Sequence, residues 1–162
     1  MAKFRFLSNA EIAVAKPVFQ DSLPWHDIRV TDNLGADGRP WARLRYLNVG
    51  QTHYRLGMDK SKTAQALLVH ELTHIWQNEH GGLPGYYMVE SLMAQIEHGK
   101  KAYDYKPGKD WDDYNPEQQA EIVKDWFDRD GQSVTSNLFP YIRDHIRSKK
   151  MSARRVEYPE TF

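Results

Sequence analysis

The hydrophobic rhythm of the chain changes often in its first third and then settles into helical spacing. Ser8 stands three residues before Glu11, a spacing at which each side chain can take a backbone N–H near the other. A helix of about ten residues is expected to follow and to end near Phe19, with Pro17 weakening its last turn. DIRVTDN (27–33) reads as a short strand and GADG (35–38) as a turn. In WARLRYLNV (41–49), Ala42, Leu44 and Tyr46 alternate with Trp41, Arg43 and Arg45, the mark of a strand with two unlike faces. QTHYRLGM (51–58) reads as its strand partner. From Ser61 onward Ala64, Leu67, Leu68, Leu72, Ile75 and Trp76 recur at helical intervals until Gly81-Gly82 stops the run. Tyr86 to His98 reads as another helix, closed by Gly99, and 100–114 as a polar loop dotted with aromatic residues. Asn115 as cap and Pro116 at the first helical position open a helix toward Arg129. A last helix is expected near Leu138–Arg147.

Helix, small sheet, then several helices is an α+β order, with a small antiparallel sheet packed on a helical bundle. The 162 residues suit one domain over 1–150, followed by a charged tail over 151–162. Five Trp, six Phe and nine Tyr supply bulky surface for a single core. Acidic and basic residues balance at 22 each, which gives no electrostatic reason to expect a nucleic acid or an anionic membrane as partner. No apolar run is long enough for a membrane span. Charges within the first dozen residues leave no hydrophobic stretch of a secretory signal, so synthesis in the cytoplasm without a signal peptide is expected. Cysteine is absent, so any zinc must be held by histidine and carboxylate.

That restriction draws attention to HELTHIWQ (70–77). On a helix, His70 and His74 are separated by about 6 Å along the axis and about 40° around it, so both rings can face one ion. Glu71 is turned about 60° from His74. It is too far aside for a natural ligand but well placed to touch water on a metal. A chance pair of histidines on an amphipathic helix is the bland reading. It is weakened by the cost of burying two histidines and a glutamate without partners.

A catalytic zinc needs three protein ligands and one open position. His80 lies at the right interval for an HExxHxxGxxH pattern, but position 77 is Gln rather than Gly, so the helix need not break to bring it round. The better source is NPEQQAEIVKDWF (115–127), where Glu117 and Glu121 stand one turn apart with the small Ala120 between them. Taken singly, Glu117 could be dipole compensation at a helix start, and Glu121 a solvated partner of Lys124 or Lys101.

Together these stretches resemble the gluzincin clan of zinc metallopeptidases, whose second helix carries a glutamate ligand in an E-x-x-small-acidic context. The resemblance implies Glu117 as the ligand and Glu121 as the acidic residue that orients a histidine. SNAEIAVAKPVF, THYRLGM, HELTHIWQ, KKAYDY and NPEQQAEIVKDWF, in this order, further resemble the small metallopeptidase domains attached to type VI secretion spike (VgrG) proteins and Rhs-like toxins. That resemblance implies a zincin-like fold, Zn2+ as cofactor and Glu71 as general base. It also implies a protein or peptide substrate, an antibacterial role in the target cell's periplasm, and a cognate immunity protein or secretion spike as partner. Tyr86, Tyr87, Tyr103, Tyr105 and His145 are the candidates for stabilising an oxyanion. The expected strand at 51–58 would be an edge for an extended substrate, with His53 a surface residue on it. A zinc-dependent cell-wall amidase and a non-catalytic zinc-binding module use the same ligands and stand as alternatives.

Overall fold

The computed structural model describes residues 3–81 and 99–151. The helix expected over Tyr86–His98, with Tyr86 and Tyr87, lies outside the described residues, as does the tail beyond Met151. The α+β class expected from the sequence is the one observed.

Helix α1 (Asn9–Phe19) begins as a capping box: Ser8 Oγ accepts the Glu11 N–H at 3.1 Å, and Glu11 Oε2 accepts the Ser8 N–H at 2.9 Å. The buried Glu11 carboxylate also accepts hydrogen bonds from both Arg5 terminal nitrogens at 2.8 Å and from the Met58 N–H at 3.0 Å. One side chain thus ties strand β1 (Phe4–Phe6), α1 and the approach to the long central helix. Burial works against its ionisation, but Arg5, Ser8 and Met58 outweigh that and hold its pKa below 4.5.

The sheet has the order β1-β2-β4-β3, with β2 Arg29–Thr31, β3 Trp41–Arg43 and β4 Tyr46–Asn48. It is mixed rather than wholly antiparallel, because β2 and β4 run parallel while the two outer pairings are antiparallel. Segment 41–49 is not one strand but a tight hairpin. Arg43 pairs with Tyr46, and Leu44 at the turn has φ 51° and is exposed. The turn reverses the alternation, so Ala42 and Leu47 face the core together. Toward solvent, the Arg29 guanidinium lies 5.4, 6.0 and 5.5 Å from the rings of Phe4, Phe6 and Tyr46.

The second departure is at 51–58. These residues form not a strand but helix α2 (Gly50–Leu56), which removes the expected substrate edge there. Gly57, at φ 86°, ends the helix with its N–H on the His53 carbonyl at 2.9 Å. Most of α2 is exposed, so no hydrophobic period reported it, while Thr52 and Tyr54 favoured a strand by type.

Helix α3 (Lys62–His80) starts at Ser61, whose hydroxyl accepts the Ala64 N–H at 3.1 Å. It is the hub of the core. Leu68, Leu72, Ile75 and Trp76 are fully buried, and the helix contacts α1, β3, β4 and helix α4 (Pro116–Phe127). The α4 start is again a capping box, between Asn115 and Gln118, with Pro116 at its first position. Loop 99–114 holds short 3₁₀ turns at Gly99–Tyr103 and Trp111–Asp113. A brief α5 (Phe139–Tyr141) runs into a π-type turn, Ile142–Ile146, where the Ile146 carbonyl accepts the Trp76 indole N–H at 2.9 Å.

Glu11→Gln is expected to cost about 3 kcal/mol, the lower end for breaking a buried ion pair, because Arg5 keeps some solvent. The contribution of Glu11 is present above pH 4.5 and is lost as pH falls below it, so the deficit should shrink on acidification. Urea unfolding of parent and variant at neutral and acid pH checks this; equal midpoints at neutral pH would remove Glu11 from this role.

Candidate metal centre

The α3 spacing brings His70 and His74 to one side of the helix, with ring centroids 5.0 Å apart. Helix α4 packs against that side with the fully buried Ala120 in its wall, and it carries Glu117 to the same point. His70 Nε2 lies 3.3 Å from Glu117 Oε2, His74 Nε2 lies 3.4 Å from Glu117 Oε1, and the two Nε2 atoms are 3.3 Å apart. His70, His74 and Glu117 thus offer a cluster of three ligand atoms. Donors bound tetrahedrally at about 2.0–2.1 Å lie about 3.3 Å from one another. The separation of the two Nε2 atoms is the one a small tetrahedral cation would impose, each imidazole faces one oxygen of Glu117, and a donor set of two imidazoles and one carboxylate suits zinc.

The outer ring nitrogens are also engaged. Glu121 Oε1 is 2.9 Å from His70 Nδ1, and its other oxygen is 2.8 Å from Lys124 Nζ. Glu121 therefore meets both kinds of partner that the sequence left open, a lysine at 124 and a histidine ring. Gln77 Oε1 is 2.8 Å from His74 Nδ1. With both Nδ1 atoms committed outward, both Nε2 atoms face the cluster.

Burial drives His70 toward neutrality, but Glu117 and Glu121 overcome this and raise its pKa to about 10 in the metal-free chain. His74 is raised as well, burial again being outweighed by Glu117. Glu117 is held far below the usual carboxylate range, because His74 and His70 outweigh its burial. Glu71 behaves oppositely. Burial raises its pKa against the pull of His70 and His74, and its buried Oε2 has no hydrogen-bond partner among the described residues. A buried carboxylate oxygen without a donor is costly unless another group or solvent meets it.

Among the described candidate oxyanion donors, Tyr103 comes nearest. Its ring centroid is 6.1 Å from that of His70, and it is partly buried, with Arg39 close enough to act on its hydroxyl. Burial and Glu117 raise its pKa, so the phenol stays protonated and able to donate. Tyr105 instead donates to Asp125 at 2.7 Å. His145 stacks on Trp111 and bonds the Lys150 carbonyl at 2.8 Å. His80 is turned away from the cluster, with Nε2 2.7 Å from the Ser22 carbonyl, and His53 sits on α2. Sequence reasoning missed Gln77. Its position three residues beyond His74 on the same helix was the available signal.

No protein-family model matches the chain. Over 136 residues it is 36% identical to the type VI secretion system spike protein VgrG2b of Pseudomonas aeruginosa, a match covering 76% of this chain and 13% of that protein. A solved structure, the effector domain of Pseudomonas aeruginosa VgrG2b, superimposes with a TM-score of 0.63 at 31% identity, over 86% of this chain and 80% of that one. By identity, coverage and fold together, the chain belongs to the family of the VgrG2b effector domain.

Proposed function

We propose that the chain is a zinc metallopeptidase domain serving as a type VI secretion effector. In this reading His70, His74 and Glu117 hold the metal, Glu71 is the general base and Glu121 orients His70. The observation that carries the reading is the convergence of two Nε2 atoms and the Glu117 carboxylate on one buried point, with the adjacent Glu71 holding a buried oxygen that has no hydrogen-bond partner among the described residues. A zinc ion held there would supply a Lewis acid and lower the pKa of solvent at its open position toward about 7.

The remaining chemistry belongs to the chain. Glu71 takes the proton of the attacking water at Oε2, then returns it to the leaving amide nitrogen. Its raised pKa makes it a stronger base than a surface glutamate. The Tyr103 hydroxyl donates to the peptide carbonyl oxygen as negative charge develops there. Glu121, itself balanced by Lys124, keeps His70 from rotating. Kinship with a spike protein and its effector domain supports delivery by a secretion spike; a protein or peptide substrate in the target cell's periplasm and a cognate immunity protein in the producer complete the proposal.

One zinc per chain is expected by elemental analysis, and His70→Ala or Glu117→Gln should abolish stoichiometric uptake. Full occupancy in either variant would refute the ligand set. Glu71→Gln should retain metal while peptide hydrolysis falls about 10²- to 10⁴-fold; undiminished turnover of an unfolded protein substrate would exclude it as base. Tyr103→Phe should lower kcat about 10²-fold with little change in zinc content, which turnover and elemental analysis on one sample would decide.

Metal uptake also has a predicted pH dependence. The protonated His70 ring stabilises the metal-free fold fully below its ordinary pKa of 6.5, and this support is lost as pH rises through about 10. Zinc must displace that proton. The rise in Tm on adding zinc should therefore be larger at mildly alkaline than at mildly acidic pH, as calorimetry at matched free zinc would show.

A further inference from the structure

The two histidines are held from behind by groups of different kind, and the one behind His74 reaches further than an orienting contact requires. Gln77 and Gln119 are buried at 0% and 1% exposure. Gln119 Nε2 donates to the Trp111 carbonyl at 3.0 Å and points toward the Tyr114 carbonyl at 3.4 Å. Backbone carbonyls only accept, so the Gln119 amide has one allowed orientation, with its oxygen facing Gln77. Gln77 Nε2 then donates to Gln119 Oε1 at 2.9 Å and to the Pro116 carbonyl at 3.0 Å. This fixes the Gln77 amide in turn, leaving Oε1 toward His74 Nδ1 at 2.8 Å. An amide oxygen cannot donate, so His74 must carry a proton on Nδ1, and its neutral form, the one that can bind a metal, has its lone pair at Nε2.

We infer that Gln77 is a positioning residue for two ligands of the metal site. The Pro116 carbonyl, which can only accept, sets the orientation of the Gln77 amide and with it the tautomer of His74, and Gln119 adds a second acceptor to the same Gln77 nitrogen without being needed for that orientation. The same Gln77 amide pins the peptide of Pro116, immediately before Glu117, and so fixes α3 against the first turn of α4. His70 is oriented by a carboxylate; His74 is oriented without adding charge to a pocket that already holds Glu71, Glu117 and Glu121. The inference rests on the metal reading proposed above.

The test uses the full chain and zinc alone. Gln77→Met keeps the side-chain length but removes both the acceptor and the donors. Gln119→Met removes a comparable buried hydrogen bond while leaving Gln77 tied to Pro116 and His74. Chelator competition should find zinc bound about 10- to 100-fold more weakly by Gln77→Met, and close to the parent's affinity by Gln119→Met. In nitrogen-edited NMR of the zinc-loaded protein, a slowly exchanging Nδ1–H of His74 should be present in the parent and in Gln119→Met and lost in Gln77→Met. Parent-like affinity in Gln77→Met, or an equal loss in both variants, would overturn the role. So would a His74 coordinated through Nδ1 in the parent, a result that needs no variant to fold. A parent that takes up no zinc overturns the metal reading itself, and is told apart because the variants then play no part.

Discussion

Two imidazoles and three carboxylates cannot be buried at a helix–helix contact unless each charge and lone pair meets a partner. The whole α3–α4 interface is arranged around that constraint. Removing such groups from water costs several kcal/mol each, and only close, well-directed pairing recovers it. Ala120 supplies the closeness, since a larger side chain in that wall would hold the helices apart. Glu121, Gln77 and Gln119 supply direction. Glu71 is the exception, with an oxygen that nothing in the described protein satisfies. Strain of this kind collects at functional positions.

The site is near the middle of the molecule because α3 is. Trp76 anchors the helix to the π-type turn at 142–146, and His80 anchors its end to Ser22. His70 and His74 therefore sit on the most heavily packed of the described elements, with Glu117 on the helix packed against it, and rigid elements hold such geometry better than loops do. The sheet contributes a wall rather than ligands.

The sequence was legible wherever a rule is local and a side chain enforces it. The boxes at Ser8 and Asn115 set the starts of α1 and α4, and the i, i+4 histidines with a later glutamate foretold the cluster. It was illegible where a single backbone conformation overrides a pattern. Leu44 at positive φ turned one apparent strand into a hairpin, which exchanged the inward and outward positions beyond it. At 50–56, an exposed helix had no stripe to announce it, and its β-favouring residues pointed the other way. Parallel pairing of β2 with β4 follows from that hairpin and from the path of the chain, neither of which alternation records. Gln77 was overlooked for another reason. A neutral amide carries no chemical signature until its partners are known, and those partners lie 39 and 42 residues away.

The outer face of the sheet bears on how the molecule behaves in company. Phe4, Phe6 and Tyr46 are all partly open to water, and they belong to strands at or next to an edge of the sheet as it stands among the described residues. Arg29 spreads its cation across all three. A guanidinium shared among three rings keeps a charge on an otherwise aromatic surface, the kind of feature that makes a sheet edge less suited to pairing with another strand.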